Sequence, residues 1–184
     1  RAGGEDRPRL GEGRLGKRLQ VLSLPDFEAY LHLLRTGPRR SEEMRFFFDA
    51  ITINETFFFR DKIPFDHLRE AILPALAQAR AARRSRRIWC AASSSGQEPY
   101  SIAMCLKEAG PLLSGWRTEI VATDLSLAVL EKSKSGVFSQ FEVQRGLPIQ
   151  LLVKYFTQNG ELWQINPDIR GMVQHRQLNL LQDF

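Results

Sequence analysis

The residues between positions 92 and 96 have almost no side-chain bulk, and this turn is the most informative candidate ligand site in the chain. Apolar residues 88–91 precede it, as in a buried strand. Pro99 follows where the first turn of a helix tolerates proline, because that residue's N–H would lack a partner anyway. A turn this small lets a ligand approach the backbone at the carboxyl end of a strand, where open α/β sheets bind ligands. The pattern alone is shared by many α/β proteins.

Two carboxylates accompany the turn. Asp124 ends a second apolar segment, 28 residues after Gly96, and an acid at that place accepts hydrogen bonds from a ribose diol in dinucleotide-binding folds. The alternative is that Asp124 caps the helix that starts after Ser126. Glu98 lies in the first turn of the preceding helix, where its carboxylate would meet a positively charged ligand group or complement the helix dipole.

A second polar cluster surrounds three aromatic residues upstream, in the sequence N-E-T-F-F-F-R at positions 54–60. Arg60 is suited to bind a ligand carboxylate, because a guanidinium pairs with carboxylates through two hydrogen bonds. Asn54 and Thr56 are short hydrogen-bonding residues that turns and caps also use. We expect the phenylalanines at 57–59 to pack and fix the loop rather than to stack on a ligand.

Together these stretches resemble the CheR family, S-adenosylmethionine-dependent glutamate O-methyltransferases that act on bacterial chemotaxis receptors. The resemblance rests on N-x-T-x-F-F-R at 54–60 and W-x-A-x-S-S-x-G-x-E-P-Y-S at 89–101, supported by A-T-D-L-S at 122–126 and N-L-L at 179–181. It covers the chain from about Arg14 to the last residue. It implies an α/β, Rossmann-like methyltransferase sheet preceded by a small all-helical domain.

The resemblance implies that S-adenosylmethionine is the cofactor and S-adenosylhomocysteine the product. It gives the cofactor site residues on both motifs and at two strand ends: Asn54, Thr56, Arg60, Ala92, Gly96, Glu98, Asp124, Asn179 and Leu180. Because the acceptor carboxylate is already ionised at neutral pH, we expect catalysis by positioning and assign no catalytic residue. The family tyrosine near the transferred methyl group belongs to a C-R-N-x-x-I-Y-F segment, which we expect to lie beyond Phe184.

The resemblance also implies a receptor-binding surface on the first helix, where family arginines contact acidic methylation helices. Arg14, Lys17 and Arg18 occupy this place, and the two arginines share a helical face because they are four residues apart. The expected partner is the cytoplasmic helical domain of methyl-accepting chemotaxis receptors. A solvated charged face is the alternative. The arginine cluster at 83–87 is more often solvated than part of a binding site.

Composition limits the other partners. The net charge is +5, and residues 1–40 hold nine basic against five acidic side chains, which favours an acidic partner. No recognised nucleic-acid motif accompanies the charge, and no apolar run approaches the ~18 residues of a membrane span. We expect neither nucleic-acid binding nor membrane insertion. Cys90 and Cys105 are interpreted as buried thiols of a cytoplasmic protein, with no metal site.

The pattern of elements predicts a helical domain at 10–60, a connecting helix with a basic linker at 61–87, and an α/β region at 88–184. The resemblance implies that the first is a receptor-recognition domain and the last is the first half of a methyltransferase domain. We expect Ser23 to cap the second helix. The connecting helix should present Phe65, Leu68, Ile72 and Leu76 on one face and be kinked or broken at Pro74.

In the last region, strands are predicted at 88–91, 119–123 and 172–178, with a small hairpin element at 161–165. Alternating strands and helices favour right-handed βαβ units and a parallel sheet. A methyltransferase sheet of this type has further strands. We therefore expect an incomplete piece, truncated at Phe184 directly after the third strand, that by itself binds cofactor weakly and transfers little methyl.

Two other functions remain open. The chain could be a non-catalytic receptor-docking or regulatory relative that binds the cofactor. It could also be a nucleotide or NAD-dependent oxidoreductase, given the small-residue turn and Asp124. That second alternative lacks the G-x-G-x-x-G fingerprint and does not account for residues 54–60.

Overall fold

The computed structural model describes residues 10–182, with side chains from residue 14 onward. The chain divides into a helical unit that ends at Ile53 and an α/β unit that begins at Asn54. Within the described residues, no helix is long and apolar enough to cross a membrane.

Two expectations concern the end of the sequence: the truncation at Phe184 and the position of the family tyrosine beyond it. Phe184 lies outside the described residues, so both expectations stay predictions.

The described part of the first unit contains three helices: α1 (Leu10–Val21), α2 (Phe27–Thr36) and α3 (Arg40–Ile51). They pack around Leu15, Tyr30 and Leu34, which are buried. The expected cap at Ser23 is wrong. Asp26 caps α2 instead, because its carboxylate accepts the N–H of Ala29 at 2.8 Å, whereas Ser23 turns the chain after α1 with φ +54°.

The connecting helix runs as three consecutive segments: α4 (Ile63–His67), a π-helical turn (Leu68–Ile72) and α5 (Leu73–Ala79). Pro74 lies in the first turn of α5, where its missing N–H does least harm. The π turn therefore accommodates the proline in a helix that continues past it.

The π turn also changes which residues are buried. A π turn adds one residue to the helical repeat, so the apolar face after it moves by one position. Phe65 before the turn is buried as predicted, but Leu73 is fully buried while the predicted Ile72 is 40% exposed. The prediction for Ile72 is wrong because strict α-helical spacing was assumed.

The α/β unit alternates strands with helices. Its elements are β1 (Ser85–Ala91), α6 (Gln97–Glu108), β2 (Arg117–Asp124), α7 (Leu127–Ser135), β3 (Val137–Ser139), α8 (Gln140–Gln144), α9 (Ile149–Tyr155), β4 (Phe156–Asn159), β5 (Leu162–Ile165), α10 (Pro167–Arg170) and β6 (Val173–Gln177).

The larger sheet is parallel, in the order β1-β2-β6. Its register pairs Ile88 with Ile120 and Ile120 with Val173, so the carboxyl ends of all three strands meet at one edge. This arrangement confirms the predicted α/β, Rossmann-like fold. Helices α6 and α7 pack on one face, while Trp89 on the other face is 48% exposed.

A second, antiparallel sheet has the order β3-β5-β4. The predicted hairpin element is β5, which pairs with β4 across a turn at Gly160. Phe138 of β3 and Phe156 of β4 carry this sheet into the main core, where both rings pack edge-on against Phe58 at centroid distances of 5.0 and 5.7 Å. The two sheets of this unit therefore share one core.

Candidate cofactor site

The small-residue turn at 92–96 is fastened to the end of β2 by its backbone. Ser93 N–H donates to the Thr123 carbonyl and Ser94 N–H to Asp124 Oδ2, both at 2.9 Å. Ala92 and Ser94 have φ of +54° and +50°, a region that non-glycine residues rarely adopt. The hydrogen bonds to β2 hold the turn in this strained shape.

Gly96 completes the turn with φ +97°. A Cβ at this position would lie 2.2 Å from Ser133 Oγ and 3.1 Å from the Tyr100 ring. Ser133 belongs to α7, so the missing side chain of Gly96 lets the turn pass close to that helix. Glycine is required here by packing and by backbone conformation together.

Asp124 is buried and uses both carboxylate oxygens. Oδ2 accepts the Ser94 N–H, and Oδ1 accepts the Ser126 N–H at 3.0 Å. The cap of α7 is Ser126 itself, whose hydroxyl accepts the Val129 N–H. Because an ionised carboxylate offers about four acceptor positions, Asp124 can organise the turn and still accept from a ribose diol.

The hydroxyl of Ser93 gives a direct test of whether the turn fits a polar ligand. Ser93 is 3% exposed, and its Oγ has no hydrogen-bond partner among the described residues. A buried hydroxyl without a partner is unfavourable. An orphaned hydroxyl in the turn fits a ligand that supplies its own hydrogen-bonding groups, as the methionine part of S-adenosylmethionine does.

The structure brings the two sequence motifs together. Ser94 Oγ donates to the Asn54 carbonyl at 3.0 Å, and the Phe59 N–H donates to Ser101 Oγ at the same distance. The Ser101 hydroxyl in turn donates to the Gln97 carbonyl at 2.6 Å. The segment at 54–60 is therefore docked on the turn and on the first turns of α6.

The three phenylalanines of that segment differ in their surroundings. Phe58 is fully buried in the core, and Phe59 packs on Phe65 with ring centroids 5.1 Å apart. Phe57 is half-buried and meets the guanidinium of Arg145, 4.4 Å from its ring centroid. Packing therefore accounts for these rings, as the sequence predicted.

Arg60 lies at the rim of the segment with its side chain 54% exposed. Its Nη1 donates to the Glu55 carbonyl at 3.2 Å, and Nε is 3.8 Å from Asp61 Oδ2. Arg145 pairs with the Glu55 carboxylate at 2.7 Å and holds the pKa of Glu55 below its usual range. With about half of its side chain exposed, Arg60 remains accessible to a ligand carboxylate.

Glu98 is exposed in the first turn of α6.

Burial, with a smaller contribution from the neighbouring Glu98 carboxylate, raises the pKa of the Cys90 thiol. Burial also raises the pKa of Cys105, to about 11. Both cysteines are buried and free, as expected. Neither thiol is activated as a nucleophile.

Asn179 and Leu180 follow β6 at the same edge of the sheet. The Leu178 N–H donates to the Asp124 carbonyl at 3.0 Å, which ties this segment to the end of β2. Asn179 Oδ1 accepts the Leu181 N–H in a local turn, and Leu180 is 47% exposed.

Thr56, in the upstream segment, is half-buried.

Sequence reasoning missed a buried hydrogen-bonded group behind the turn. Ser133 Oγ lies 2.7 Å from His175 Nε2, and the Tyr100 hydroxyl donates to the Ser133 carbonyl at 2.7 Å. Burial lowers the pKa of His175. The contact with Ser133 gives His175 a structural role. The contacts join residues 33 and 42 positions apart, so no local sequence pattern indicates them.

The three receptor-surface residues predicted on α1 have different surroundings. Arg18 forms an ion pair with the buried Glu43 and lies over the Phe46 ring. Arg14 is exposed, and its Nη1 donates to the Thr52 carbonyl at 3.2 Å. Lys17 is exposed. Arg18 is thus committed to packing α1 on α3.

No cluster of three or more acidic, histidine or cysteine side chains with the geometry of a metal site occurs among residues 14–182.

Residues 54–184 match the family model described as "CheR methyltransferase, SAM binding domain", and residues 5–52 match "CheR methyltransferase, all-alpha domain".

Curated relatives match across almost the whole chain. "Chemotaxis protein methyltransferase 1" of Pseudomonas aeruginosa is 37% identical over 98% of this chain and 66% of its own length. "Chemotaxis protein methyltransferase Cher2" of Pseudomonas putida is 35% identical, with the same coverage. "Chemotaxis protein methyltransferase" of Borreliella burgdorferi is 34% identical over 97% of this chain and 64% of its own. The chain thus spans about two thirds of the length of these relatives.

Proposed function

Because this chain belongs to the CheR methyltransferase family, we propose that it transfers the methyl group of S-adenosylmethionine to glutamate side chains of chemotaxis receptors. The family domain at residues 54–184 is a SAM binding domain, so S-adenosylmethionine is the cofactor. The names of the relatives support a chemotaxis methyltransferase, and glutamate as the acceptor is our proposal.

One observation supports this function most strongly: the docking of the 54–60 segment on the turn at 92–96. Ser94 Oγ reaches the Asn54 carbonyl at 3.0 Å, although the two residues are 40 positions apart. A dinucleotide-dependent oxidoreductase would not need this segment. A cofactor that carries an amino-acid group, by contrast, needs polar protein groups on both sides of its binding site.

Within this site we assign each residue by its chemistry. Arg60 would bind the cofactor carboxylate, because its guanidinium is accessible and forks onto carboxylates. Glu98 would face the ammonium group, and Asp124 would accept from the ribose hydroxyls through its remaining lone pairs. Other contacts come from residues around these three: Asn54, Thr56, Ala92, Gly96, Asn179 and Leu180.

The chemistry needs little from the protein beyond orientation. When bound, S-adenosylmethionine would supply an electrophilic methyl group on a sulfonium sulfur, and the proposed acceptor is a carboxylate oxygen of a receptor glutamate. The receptor carboxylate is already ionised near neutral pH, so no general base is needed. The chain's part is to hold the reacting groups in line and keep water out.

For the receptor surface we propose Lys17 and Arg14 as contacts to acidic helices. Lys17 is exposed, and Arg14 keeps an exposed guanidinium beside its bond to Thr52. Arg18 would act indirectly, by holding α1 against α3 through Glu43. The two buried free thiols favour a cytoplasmic location, because reducing compartments preserve them.

The test is mass spectrometry of receptor glutamates after incubation with S-adenosylmethionine, using protein expressed from the complete gene. We expect methyl esters that are lost in Arg60→Ala but kept in Arg80→Ala, a matched exposed arginine outside the site. Calorimetry with S-adenosylhomocysteine runs in parallel. Binding without ester formation would favour the docking relative, and binding of NAD instead would favour the oxidoreductase.

A further inference from the structure

Arg86 is a buried arginine far from the cofactor turn. It is the second residue of β1, opposite Thr118 in the register with β2, so it lies near the amino-terminal edge of the sheet. The residue is 7% exposed. The arginine cluster at 83–87 therefore contains one member that is not solvated.

Two of the three guanidinium nitrogens of Arg86 have no hydrogen-bond acceptor among the described residues. These nitrogens, Nε and Nη1, are buried. The Trp116 ring lies 5.4 Å from the guanidinium carbon. A ring can stabilise the face of a guanidinium, but its donors lie in the guanidinium plane and need acceptors there.

The electrostatics agree with the geometry. Burial lowers the pKa of Arg86, and no neighbouring carboxylate among the described residues offsets this effect. Buried charges in proteins are normally paired, because an isolated ion loses its hydration without compensation. An unpaired buried arginine therefore calls for an anion.

Arg86 also lines a cavity with room for one. The cavity has a volume of about 420 Å³, and its lining includes Lys107, Trp116 and Thr118. Lys107 Nζ is 3.2 Å from Asp168 Oδ2 in an exposed pair, so this second cation stands at the rim. Small-molecule sites commonly occupy about 300–1,000 Å³.

We propose that this cavity is a binding site for a small oxyanion, the phosphate or carboxylate group of a ligand, held by Arg86 with Lys107 at the rim. A guanidinium fork matches both groups in geometry. The site lies at the amino-terminal ends of the strands, whereas the cofactor turn follows their carboxyl ends. It is therefore separate from the methyl-transfer site and does not depend on the proposed reaction.

The test is thermal unfolding of the full chain with inorganic phosphate or malonate, at constant ionic strength set by sodium chloride. Ligand binding to the folded state raises the Tm in a saturable way. We expect such a rise for at least one probe. Phosphate acting alone indicates a phosphoryl ligand, and malonate acting alone a carboxylate ligand.

The decisive variant is Arg86→Met, which keeps length and removes charge and donors. For this variant we expect the apparent affinity for the anion, read from the rise in Tm, to be at least tenfold weaker. We expect its Tm without anion to be no lower than that of the parent. Arg87→Met is the matched control, because Arg87 is exposed and pairs with Glu119; it should keep the response. Lys107→Ala should weaken the response even if Arg86→Met does not fold.

Two results would overturn the proposal. One is a parent Tm that responds to phosphate and malonate no more than to chloride. The other is an undiminished saturable response in Arg86→Met or, if that variant does not fold, in Lys107→Ala.

Discussion

Replacing Gly96 with alanine should destabilise the α/β unit, and the cost can be worked from the geometry. Alanine at φ +97° pays about 1–2 kcal/mol for a left-handed conformation. The new Cβ would also lie 2.2 Å from Ser133 Oγ, and forcing an extra carbon into a packed interior costs about 1–3 kcal/mol. We therefore expect a loss of about 2–5 kcal/mol in the free energy of unfolding.

A matched control separates the two contributions. Gly160 also has a positive φ, +63°, but a Cβ there would meet nothing within 4 Å. Gly160→Ala should therefore show the conformational cost alone, about 1–2 kcal/mol. The difference between the Gly96 and Gly160 variants measures the contact with α7, and urea unfolding of each variant gives both values.

A double-mutant cycle identifies the neighbour responsible. Ser133→Ala removes the hydroxyl nearest to the new Cβ, leaving Ser133 Cβ at 3.0 Å, at the expense of its contact with His175. We expect the double variant to be more stable than the sum of the singles predicts, by at least about 0.5 kcal/mol. Strict additivity would refute the contact as the cause.

The same experiment weighs packing against ligand approach. If the glycine served only to let the cofactor close to the backbone, Gly96→Ala would keep its stability and lose affinity for S-adenosylhomocysteine in calorimetry. A full-stability variant with weakened binding would refute our reasoning from the position of Ser133.

Three further predictions concern buried polar groups. Glu43→Gln should cost about 2–3 kcal/mol in urea unfolding, because it breaks a buried pair whose Arg18 partner keeps some water contact; the exposed Glu42→Gln should stay within about 0.5 kcal/mol. Asp124→Asn should cost about 1–3 kcal/mol in the same assay, since one amide atom cannot accept a backbone N–H. The folded-state pKa of His175 is lowered, so at acidic pH the unfolded chain binds a proton that the folded chain does not. The free energy of unfolding should therefore fall as the pH drops below about 6.5. In His175→Gln this free energy should change less with pH, and an equal change would exclude His175 as the cause.

The sheet and the cofactor turn could be predicted because local and global signals agree there. The apolar segments at 88–91 and 119–123 end at small or acidic residues, as parallel strands feeding helices do. The structure extends both strands by a few residues, to Ser85–Ala91 and Arg117–Asp124. Polar residues at strand beginnings give no apolar signal, so these ends were missed.

The second sheet was harder to predict for a reason of length. Strand β3 has 3 residues and β4 has 4, too few for an alternating pattern to stand out. What holds them is a long-range contact, the packing of Phe58 on Phe138 and Phe156. Such pairing depends on the fold around it, and a local reading of the sequence does not contain it.

The site residues also divide into those that the sequence predicts and those that depend on long-range contacts. The meeting of the 54–60 segment with the turn came from the resemblance, and the hydrogen bonds of Ser94 and Ser101 give its physical basis. The partner of Arg18 could not be foreseen, because Glu43 lies on another helix, 25 positions away. A charged residue on a helix face gives the same pattern whether it meets solvent or a buried acid.

The serines of the turn and of α6 are needed for hydrogen bonds that alanine could not make. Ser94 serves through both its backbone N–H and its hydroxyl, and Ser101 both accepts from Phe59 and donates to Gln97. Alanine would fit these places in volume but would leave buried donors or acceptors without partners. Ser93 differs, because its buried hydroxyl has no partner in the described structure. Among the described residues, the Ser93 hydroxyl is therefore the hydroxyl of the turn that the fold itself leaves without a partner, and we propose that it meets the bound cofactor.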